Sequence, residues 1–230
     1  MSPARALVAA AAVAMMLPAG HAPAHVGAQR GPETTSAYRR PDISKDPIPY
    51  GKKRRHQMAR YSKRHYGRAR WRLANPRVIV LHFTAGDSYS SAWNHFASNA
   101  PNRGELPGVC AQYVIKKGGP IKQLVAPTVR CRHTIGLNYT AIGIEMVQET
   151  GKGSHWADRQ ILQRKPQIRS ALKLVRYLRA RFDIRMSNVI GHAMANKSPY
   201  FEDLQGWTSD HTDWLWRDVK VFRRRLRKIS

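Results

Sequence analysis

The sequence predicts an α/β (α+β) fold with a small mixed central β-sheet flanked by helices. Short apolar runs typical of buried strands occur at residues 78–81, 140–147 and 188–191. A hairpin pattern spans residues 111–125, with its turn at Lys117-Gly-Gly-Pro120. Helical apolar stripes lie between these runs. Because strands and helices alternate along the chain, we expect helices to cover the sheet.

The first predicted strand runs from Val78 to Leu81 and delivers His82 at its end. Four branched residues in a row favour a strand that is covered on both faces. Thr84-Ala-Gly-Asp87 supplies a turn directly afterwards. A polar side chain at a strand tip is typical of a functional site, although a hydrogen-bonded core histidine is the alternative for His82 taken alone.

The remaining elements are assigned by the same periodicities. In order, they are a helix over 90–99, the hairpin strands 111–116 and 121–125, a strand over 140–147 that contains Glu145, a polar loop over 151–158, a helix from Pro166 to Phe182, a strand over 188–192 that ends in His192, and a helix over 214–229 with Trp216, Val219, Phe222 and Leu226 on its apolar side.

The two ends of the chain differ from the predicted domain at 73–230. Residues 1–28 resemble a signal peptide, since Arg5 precedes an Ala-rich apolar stretch that is too short to span a bilayer. We therefore expect a bacterial protein that is secreted, periplasmic or associated with the cell wall. We expect a monomer, with no transmembrane segment after removal of the signal. Residues 29–72 are predicted to form a basic linker and an amphipathic helix from about Lys52 to Tyr66.

The charge of the chain predicts a polyanionic partner. Forty Lys and Arg residues oppose 14 Asp and Glu residues, for a formal net charge of +26. Ten of the basic residues fall between Lys52 and Arg72, where there is no acidic residue, and the last predicted helix is also basic. For an exported protein we expect these basic ends to bind anionic wall polymers rather than a dedicated nucleic acid.

The two cysteines, Cys110 and Cys131, leave two interpretations open. They could form one disulfide in an oxidising compartment, or each could be a small apolar core residue. Their spacing does not indicate a thiolate metal site.

Polar side chains near the predicted strand ends suggest a metal centre. The candidate ligands are His82, His192 and one of Asp210, His211 and Asp213. Two imidazoles with one carboxylate, and a fourth position left open, are typical of catalytic zinc. A non-haem iron site uses the same ligand types, but export disfavours labile ferrous iron. Glu145, a carboxylate in an apolar strand, is a candidate general base for a zinc-activated water.

Taken together, these residues resemble the zinc-dependent N-acetylmuramoyl-L-alanine amidases of type 2, whose fold is shared with peptidoglycan recognition proteins and phage lysozyme-type amidases. The resemblance runs from about Arg77 to Phe222. It rests on five pieces in the right order, which are Val80-Leu-His-Phe-Thr-Ala85, the hairpin from Tyr113 to Val125, Arg132-His133 through Asn138 to Glu145, Gly191-His192, and Thr212-Asp213.

The resemblance implies a zinc ion bound by His82, His192 and Asp213, with Glu145 as the catalytic carboxylate. It implies peptidoglycan or muropeptides as substrate, cut at the amide between the muramic acid lactyl group and L-alanine. It also implies that Tyr113, His133 and Asn138 contact substrate. In many relatives a lysine thought to polarise the scissile carbonyl stands where this chain has His211, and the usual Asp-Pro-Gly is replaced here by Asp213-Trp-Leu215. An imidazole can also donate a hydrogen bond, so we assign His211 to catalysis.

Two other functions remain compatible with the sequence. One is a peptidoglycan-binding module without catalytic activity. The other is a basic protein that binds nucleic acid or a membrane surface through its cationic ends. Retention of all three ligands and of Glu145 argues against the first.

Overall fold

A computed structural model describes residues 39–230, and the predicted signal peptide lies outside them. The strands are β1 (Ile43–Lys45), β2 (Val78–Ala85), β3 (Tyr113–Ile115), β4 (Ile121–Gln123), β5 (Ala141–Glu149) and β6 (Val189–Gly191). The helices are α1 (Lys52–Tyr66), α2 (Tyr89–Ser98), α3 (Ser154–Gln163), α4 (Lys165–Phe182) and α5 (Trp216–Arg227). Two 3₁₀ turns, Met186–Asn188 and His192–Lys197, flank β6. Among the described residues, no helix is long and apolar enough to cross a membrane.

The six strands form one mixed sheet in the order β1-β4-β3-β5-β2-β6. All neighbouring pairs are parallel except the β3–β4 hairpin, which is antiparallel. The long strands β2 and β5 lie next to each other at the centre of the sheet. The predicted fold class, a small mixed sheet flanked by helices, is confirmed.

Alternation of side chains along β2 divides the molecule into two layers. Ile79 and Leu81 point into the main core, which α3, α4 and α5 complete. Val78 and Val80 point to the other face and pack in a separate cluster with Leu137 of the loop before β5. His82 continues the Val78 and Val80 face, so it is directed away from the three C-terminal helices.

Residues 39–72 contribute to this fold rather than forming a linker beside it. Strand β1 pairs in parallel with β4 at the edge of the sheet. The predicted helix is present at Lys52–Tyr66 and buries Met58, Tyr61 and Tyr66. Arg54 is also buried, where its guanidinium donates to the carbonyl groups of Phe96, Gly108 and Val109. The packed unit therefore extends upstream of the predicted boundary at residue 73.

Two local predictions are wrong. The polar loop predicted over 151–158 ends at Gly153, and α3 begins at Ser154, because Ala157 and Ile161 give this stretch a buried side that the polar residues around them obscure. Trp216 was expected on the apolar side of the last helix, but it begins that helix and is 50% exposed.

The structure decides between the two interpretations of the cysteines. Cys110 and Cys131 form a disulfide and are fully buried. The bond ties the segment before β3 to the loop that carries Arg132 and His133. It therefore fixes one wall of the region that His82 faces.

Candidate metal centre and catalytic cleft

Strand register brings the first two candidate residues together. His82 of β2 is directly opposite Glu145 of β5 in a parallel pair, so both side chains point to the same face of the sheet. His82 lies within β2 rather than at its tip, because the strand continues to Ala85. On the other side of β2, Leu81 pairs with Gly191 at the end of β6, which places His192 beside His82.

Asp213 completes a cluster of three buried side chains. His82 Nδ1 lies 3.0 Å from His192 Nδ1 and 3.3 Å from Asp213 Oδ2, and His192 Nδ1 lies 3.1 Å from Asp213 Oδ1. A tetrahedral zinc ion with ligand bonds of about 2.0–2.2 Å would hold neighbouring ligand atoms about 3.4 Å apart. The three donor groups therefore have the types and spacing that zinc requires.

The other two candidates for the third ligand lie outside this cluster. Asp210 is exposed and pairs with Arg103 at 2.9 Å. His211 stacks on the ring of His192, with the ring centres 4.0 Å apart and the planes inclined by 12°. Of the three open alternatives, the structure brings Asp213 to the two histidines.

The backbone around Asp213 is held by contacts that the sequence gave no reason to expect. The carbonyl of Asp213 accepts a hydrogen bond from the Ala193 amide, 2.9 Å away. The next two amides, of Trp214 and Leu215, donate to the two carboxylate oxygens of Asp158 on α3, each at 3.0 Å. Asp158 is fully buried, so this carboxylate has its partners inside the protein and anchors the loop.

Trp214 adds a second anchor to the same loop. Its backbone is in the left-handed region, with φ of 56°, and its fully buried indole donates to the carbonyl of His82 at 3.2 Å. Gly191 permits this arrangement, because a Cβ atom there would overlap the carbonyl oxygen of Trp214. The loop that carries Asp213 is thereby tied to both histidine-bearing segments.

The electrostatics of the cluster favour the protonation states that metal binding needs. Burial, reinforced by the charge of His82, lowers the pKa of His192 to about 4, so its ring is neutral near pH 7. Burial alone would raise the pKa of Asp213, but the adjacent imidazoles of His192, His211 and His82 hold it well below its usual range. The carboxylate is therefore ionised, and His192 has a nitrogen lone pair to offer.

Glu145 lies beside the cluster without belonging to it. Its side chain is buried, and its Oε2 atom has no hydrogen-bond partner within the described part of the chain. Burial raises its pKa to about 7, with His82 opposing the shift and the charge of Asp213 adding to it. A carboxyl group that changes protonation state near neutral pH suits general acid and base chemistry.

His211 lies at the open side of the cluster. Its side chain is 59% exposed, and its Nδ1 atom is 3.6 Å from Asp213 Oδ1. The neighbouring Asp213 carboxylate raises the pKa of His211 above its ordinary value despite partial burial. The ring is therefore more readily protonated than a free histidine, and it can donate towards a group that enters the cleft.

His133 contacts a candidate ligand rather than only lining the cleft. Its Nδ1 atom is 3.1 Å from His82 Nε2, on the side of the His82 ring away from the cluster. Thr134 Oγ1 lies 3.4 Å from the same nitrogen. Gly143 of β5 makes room for this ring, since a Cβ atom there would approach it to 2.7 Å. Outer partners of this kind fix the orientation of a metal-binding imidazole.

The other two residues expected to contact substrate are placed differently. Tyr113 is 1% exposed and lies in the main core. It pairs with Ile144 of β5, and both side chains point to the face of the sheet that the C-terminal helices cover. It does not line the cleft. Asn138 does border the cleft, but its Oδ1 accepts from the amides of His133 and Thr134 and its amide group donates to Tyr61. Asn138 therefore shapes the loop.

A cleft of about 870 Å³ opens above the cluster. The candidate ligands and Glu145 form its floor, and its walls come from α1, α2 and the loops around Arg103 and His133. A cleft of this size accommodates an extended ligand of several groups.

Comparison with known proteins identifies the family. Residues 72–213, more than half of the chain, match the family model described as N-acetylmuramoyl-L-alanine amidase. The chain belongs to this amidase family. The match begins just before β2 and ends at Asp213, so it contains every residue of the cluster. It makes the protein an N-acetylmuramoyl-L-alanine amidase, a hydrolase acting on peptidoglycan.

The solved structures that match the amidase have low sequence identity to it. The endolysin amidase LysCS from Clostridium intestinale URNW is 17% identical, with a TM-score of 0.49, and the match covers 80% of this chain and 96% of LysCS. The endolysin of Thermus scotoductus bacteriophage Ph2119 is 17% identical, with a TM-score of 0.46, over 79% of this chain and 99% of that one. No curated protein sequence matches. The family assignment rests on the family match.

Several residues of the amidase site escaped sequence reasoning. Asp158 was assigned to a polar loop, Trp214 was counted as part of the last helix, and Gly143 was an ordinary strand residue. An acidic residue beside apolar ones was the signal that pointed to Glu145, and the same signal could have pointed to Asp158. For Gly143 no local signal exists, since its role depends on a ring from another segment.

Proposed function

We propose that the amidase hydrolyses the amide between the muramic acid lactyl group and L-alanine with a zinc-activated water. The observation that carries this proposal is the buried group of His82, His192 and Asp213, whose ligand atoms all lie within 4.8 Å of one another at the floor of the cleft. A zinc ion bound there would supply Lewis-acid chemistry, lowering the pKa of water and polarising a carbonyl oxygen.

Glu145 would act as the proton carrier. Its carboxyl group borders the cleft and could accept a proton from the attacking water there, and its pKa of about 7 allows it to return that proton to the leaving amine. This role needs one group that changes state twice in each turnover. A carboxyl group whose pKa lies far from the working pH would perform one of the two transfers poorly.

His211 would stabilise the charge that develops on the scissile carbonyl oxygen. Its exposed ring borders the cleft, and its raised pKa favours the protonated form, which is the better hydrogen-bond donor. His133 and Thr134 would hold His82 from behind. Asp158 would hold the loop that carries Asp213, and Asn138 would hold the loop that carries His133.

We also propose that the amidase acts outside the cytoplasm, on wall peptidoglycan or on muropeptides released from it. This part of the proposal is supported by the sequence of residues 1–28, which lie outside the described residues, and by the excess of basic residues. The buried disulfide is compatible with an oxidising compartment.

The test is digestion of purified peptidoglycan, with and without a chelator, followed by analysis for stem peptides that carry a free L-alanine amino group. We expect such peptides to appear only when zinc is present. His82→Ala should lose metal and activity together. Glu145→Gln should keep the metal and lose about 100-fold or more in rate. The matched change Glu149→Gln, at the exposed end of β5, should keep both the metal and the rate.

Two outcomes would contradict the proposal. Full metal content in His82→Ala would remove that residue from the ligand set. Binding of peptidoglycan without release of any peptide, in zinc-loaded protein, would favour the alternative of a binding module without catalytic activity.

A further inference from the structure

The outward side of α1 carries a continuous strip of positive charge. We call it the α1 strip and define it as the exposed basic residues Lys52, Lys53, Arg55, Arg60, Lys63 and Arg64. Fifteen residues of α-helix extend about 22 Å. Within the described residues, a salt bridge reaches one member of the strip, Arg64, which pairs with Glu105. The remaining five charges face solvent.

The placement of these charges is unfavourable for the helix itself. The first turn of α1 contains Lys52, Lys53, Arg54 and Arg55 and no acidic residue. The amino-terminal end of a helix dipole is positive, so basic residues are repelled there and acidic ones are usual. A bound polyanion would relieve this repulsion, which gives the arrangement a physical reason.

The chemistry of the strip restricts what can bind to it. The exposed side chains of α1 are basic and polar and include no apolar group that could insert into a bilayer. The neighbouring aromatic, Trp71, is contacted by the guanidinium groups of Arg55 and Arg72 at 4.6 and 4.5 Å from its ring centre. It is therefore not free as a platform for stacking bases. These features favour a flexible anionic chain recognised by charge alone.

We propose that the α1 strip binds an anionic phosphodiester polymer attached to peptidoglycan. This inference rests on the proposed function, which places the amidase at the wall. The opposite side of α1 is part of the active domain, because Tyr61 is buried there and lines the cleft. A polymer held on the strip therefore keeps the cleft beside the wall without a separate binding domain.

The test compares two variants that lose the same charge from different surfaces. The strip variant changes three members of the strip, Lys52, Lys53 and Arg60, to Gln, because their exposed side chains make no hydrogen bond or salt bridge among the described residues. The control variant changes Lys165, Arg169 and Lys173 to Gln, which are exposed on α4 over the other face of the sheet and lie outside both basic ends of the chain. Thermal unfolding of both checks that the fold is retained.

Binding is measured by co-sedimentation over a salt series, in the presence of chelator so that no hydrolysis intervenes. The probes are purified walls that carry their phosphodiester polymer and the same walls stripped of it with hydrofluoric acid. We expect the strip variant to lose about tenfold in affinity for the intact walls at low salt and to show a shallower salt dependence, with the control variant close to wild type. Stripped walls should bind both variants and wild type alike.

Three results would overturn the inference. Equal losses in the two variants would mean that net charge, and not the α1 strip, sets the affinity. A loss of the same size on stripped walls would place the contact on peptidoglycan itself. Strip-dependent binding to double-stranded DNA or to vesicles of anionic phospholipid, with none to intact walls, would assign the strip to another class of polyanion. The peptidoglycan digestion measures cleavage and not binding to the strip, so it would show failure of the proposed function separately from these three binding results.

Discussion

At the scale of single residues, His211 is the side chain to which we assign stabilisation of the charge on the scissile carbonyl oxygen. In many relatives of the family the sequence resembles, a lysine stands at this position. Here an imidazole stacks on His192 at the open side of the cluster, and its contact with Asp213 raises its pKa. A neighbouring carboxylate thus gives the histidine part of the positive charge that a lysine would carry at neutral pH.

His211→Ala should therefore lower turnover with little change in zinc content, since the ring is outside the group of His82, His192 and Asp213. His211→Lys should retain part of the activity, because it restores a cation at the same place. Steady-state kinetics with a soluble muropeptide, together with metal analysis of each variant, would measure both effects. Loss of zinc from His211→Ala would make His211 a ligand instead.

The raised pKa of Glu145 leads us to expect that the stability of the metal-free protein depends on pH. Its pKa is raised from 4.5 to about 7 by burial, so the folded state binds its proton more tightly than the unfolded state does. The stabilisation is complete below pH 4.5 and is lost as the pH rises through 7. A shift of this size corresponds to at most about 3 kcal/mol.

The measurement is urea unfolding of chelator-treated wild type and Glu145→Gln at pH 4.5 and pH 8. The variant cannot ionise at this position, so its stability relative to wild type should increase between the two pH values. A constant difference would show that Glu145 has the same pKa in the folded and unfolded states.

At the scale of elements, α3 is a structural support of the site that lies outside the cluster. The helix presents Asp158 to the amides of Trp214 and Leu215, directly after Asp213. Ser154, at the start of the same helix, contacts Thr212 at 2.6 Å, directly before Asp213. The third candidate ligand is therefore bracketed on both sides by contacts to one helix.

Asp158→Asn should weaken zinc binding, because an amide group replaces one acceptor oxygen and faces a backbone N–H. Substitution of residues that orient ligands typically lowers metal affinity about 10–100-fold. Competition with a zinc-binding dye would measure the change. Asp183→Asn, the same substitution at the exposed end of α4, is the control and should leave affinity unchanged. Unaltered affinity in Asp158→Asn would show that the loop holds its position without this carboxylate.

At the scale of the whole molecule, residues 39–72 belong to the packed domain. The sequence predicted a basic linker and an amphipathic helix over residues 29–72, before a domain at 73–230. The structure instead buries one side of α1 and adds β1 to the sheet. Charge is distributed on the outer side of this helix, where it does not disturb the packing of Met58, Tyr61 and Tyr66.

Deletion of residues 39–70 should therefore abolish cooperative thermal unfolding rather than only weaken wall binding. Complete burial of one large apolar side chain contributes roughly 1.5–3 kcal/mol, and three such residues approach the whole stability of a typical domain. The strip variant, which changes exposed charges alone, provides the comparison and should unfold cooperatively. A soluble deletion protein that unfolds cooperatively and cleaves muropeptides would show that the segment is dispensable for folding.

The sequence predicted the elements whose periodicity is strong and failed where a residue's partner lies far along the chain. The hairpin, α4 and the strand that contains Glu145 were predicted close to their observed positions, because apolar alternation and turn residues are local signals. Tyr113 was placed in the groove by resemblance, whereas the alternation of β3 turns it into the core. Trp216 has the helical spacing of the apolar residues of α5, but it is the first residue of that helix and its side chain is exposed.

The sequence by itself determined the fold class, the family, and the types of residue that the site uses, since these follow from local patterns and from motifs in a fixed order. Only the tertiary structure decided that Asp213, and not Asp210 or His211, joins His82 and His192. It also joined the two cysteines and included α1 in the domain. The physical reason is that ligands from separate elements have no fixed spacing in the chain, and strand register and packing alone bring them together.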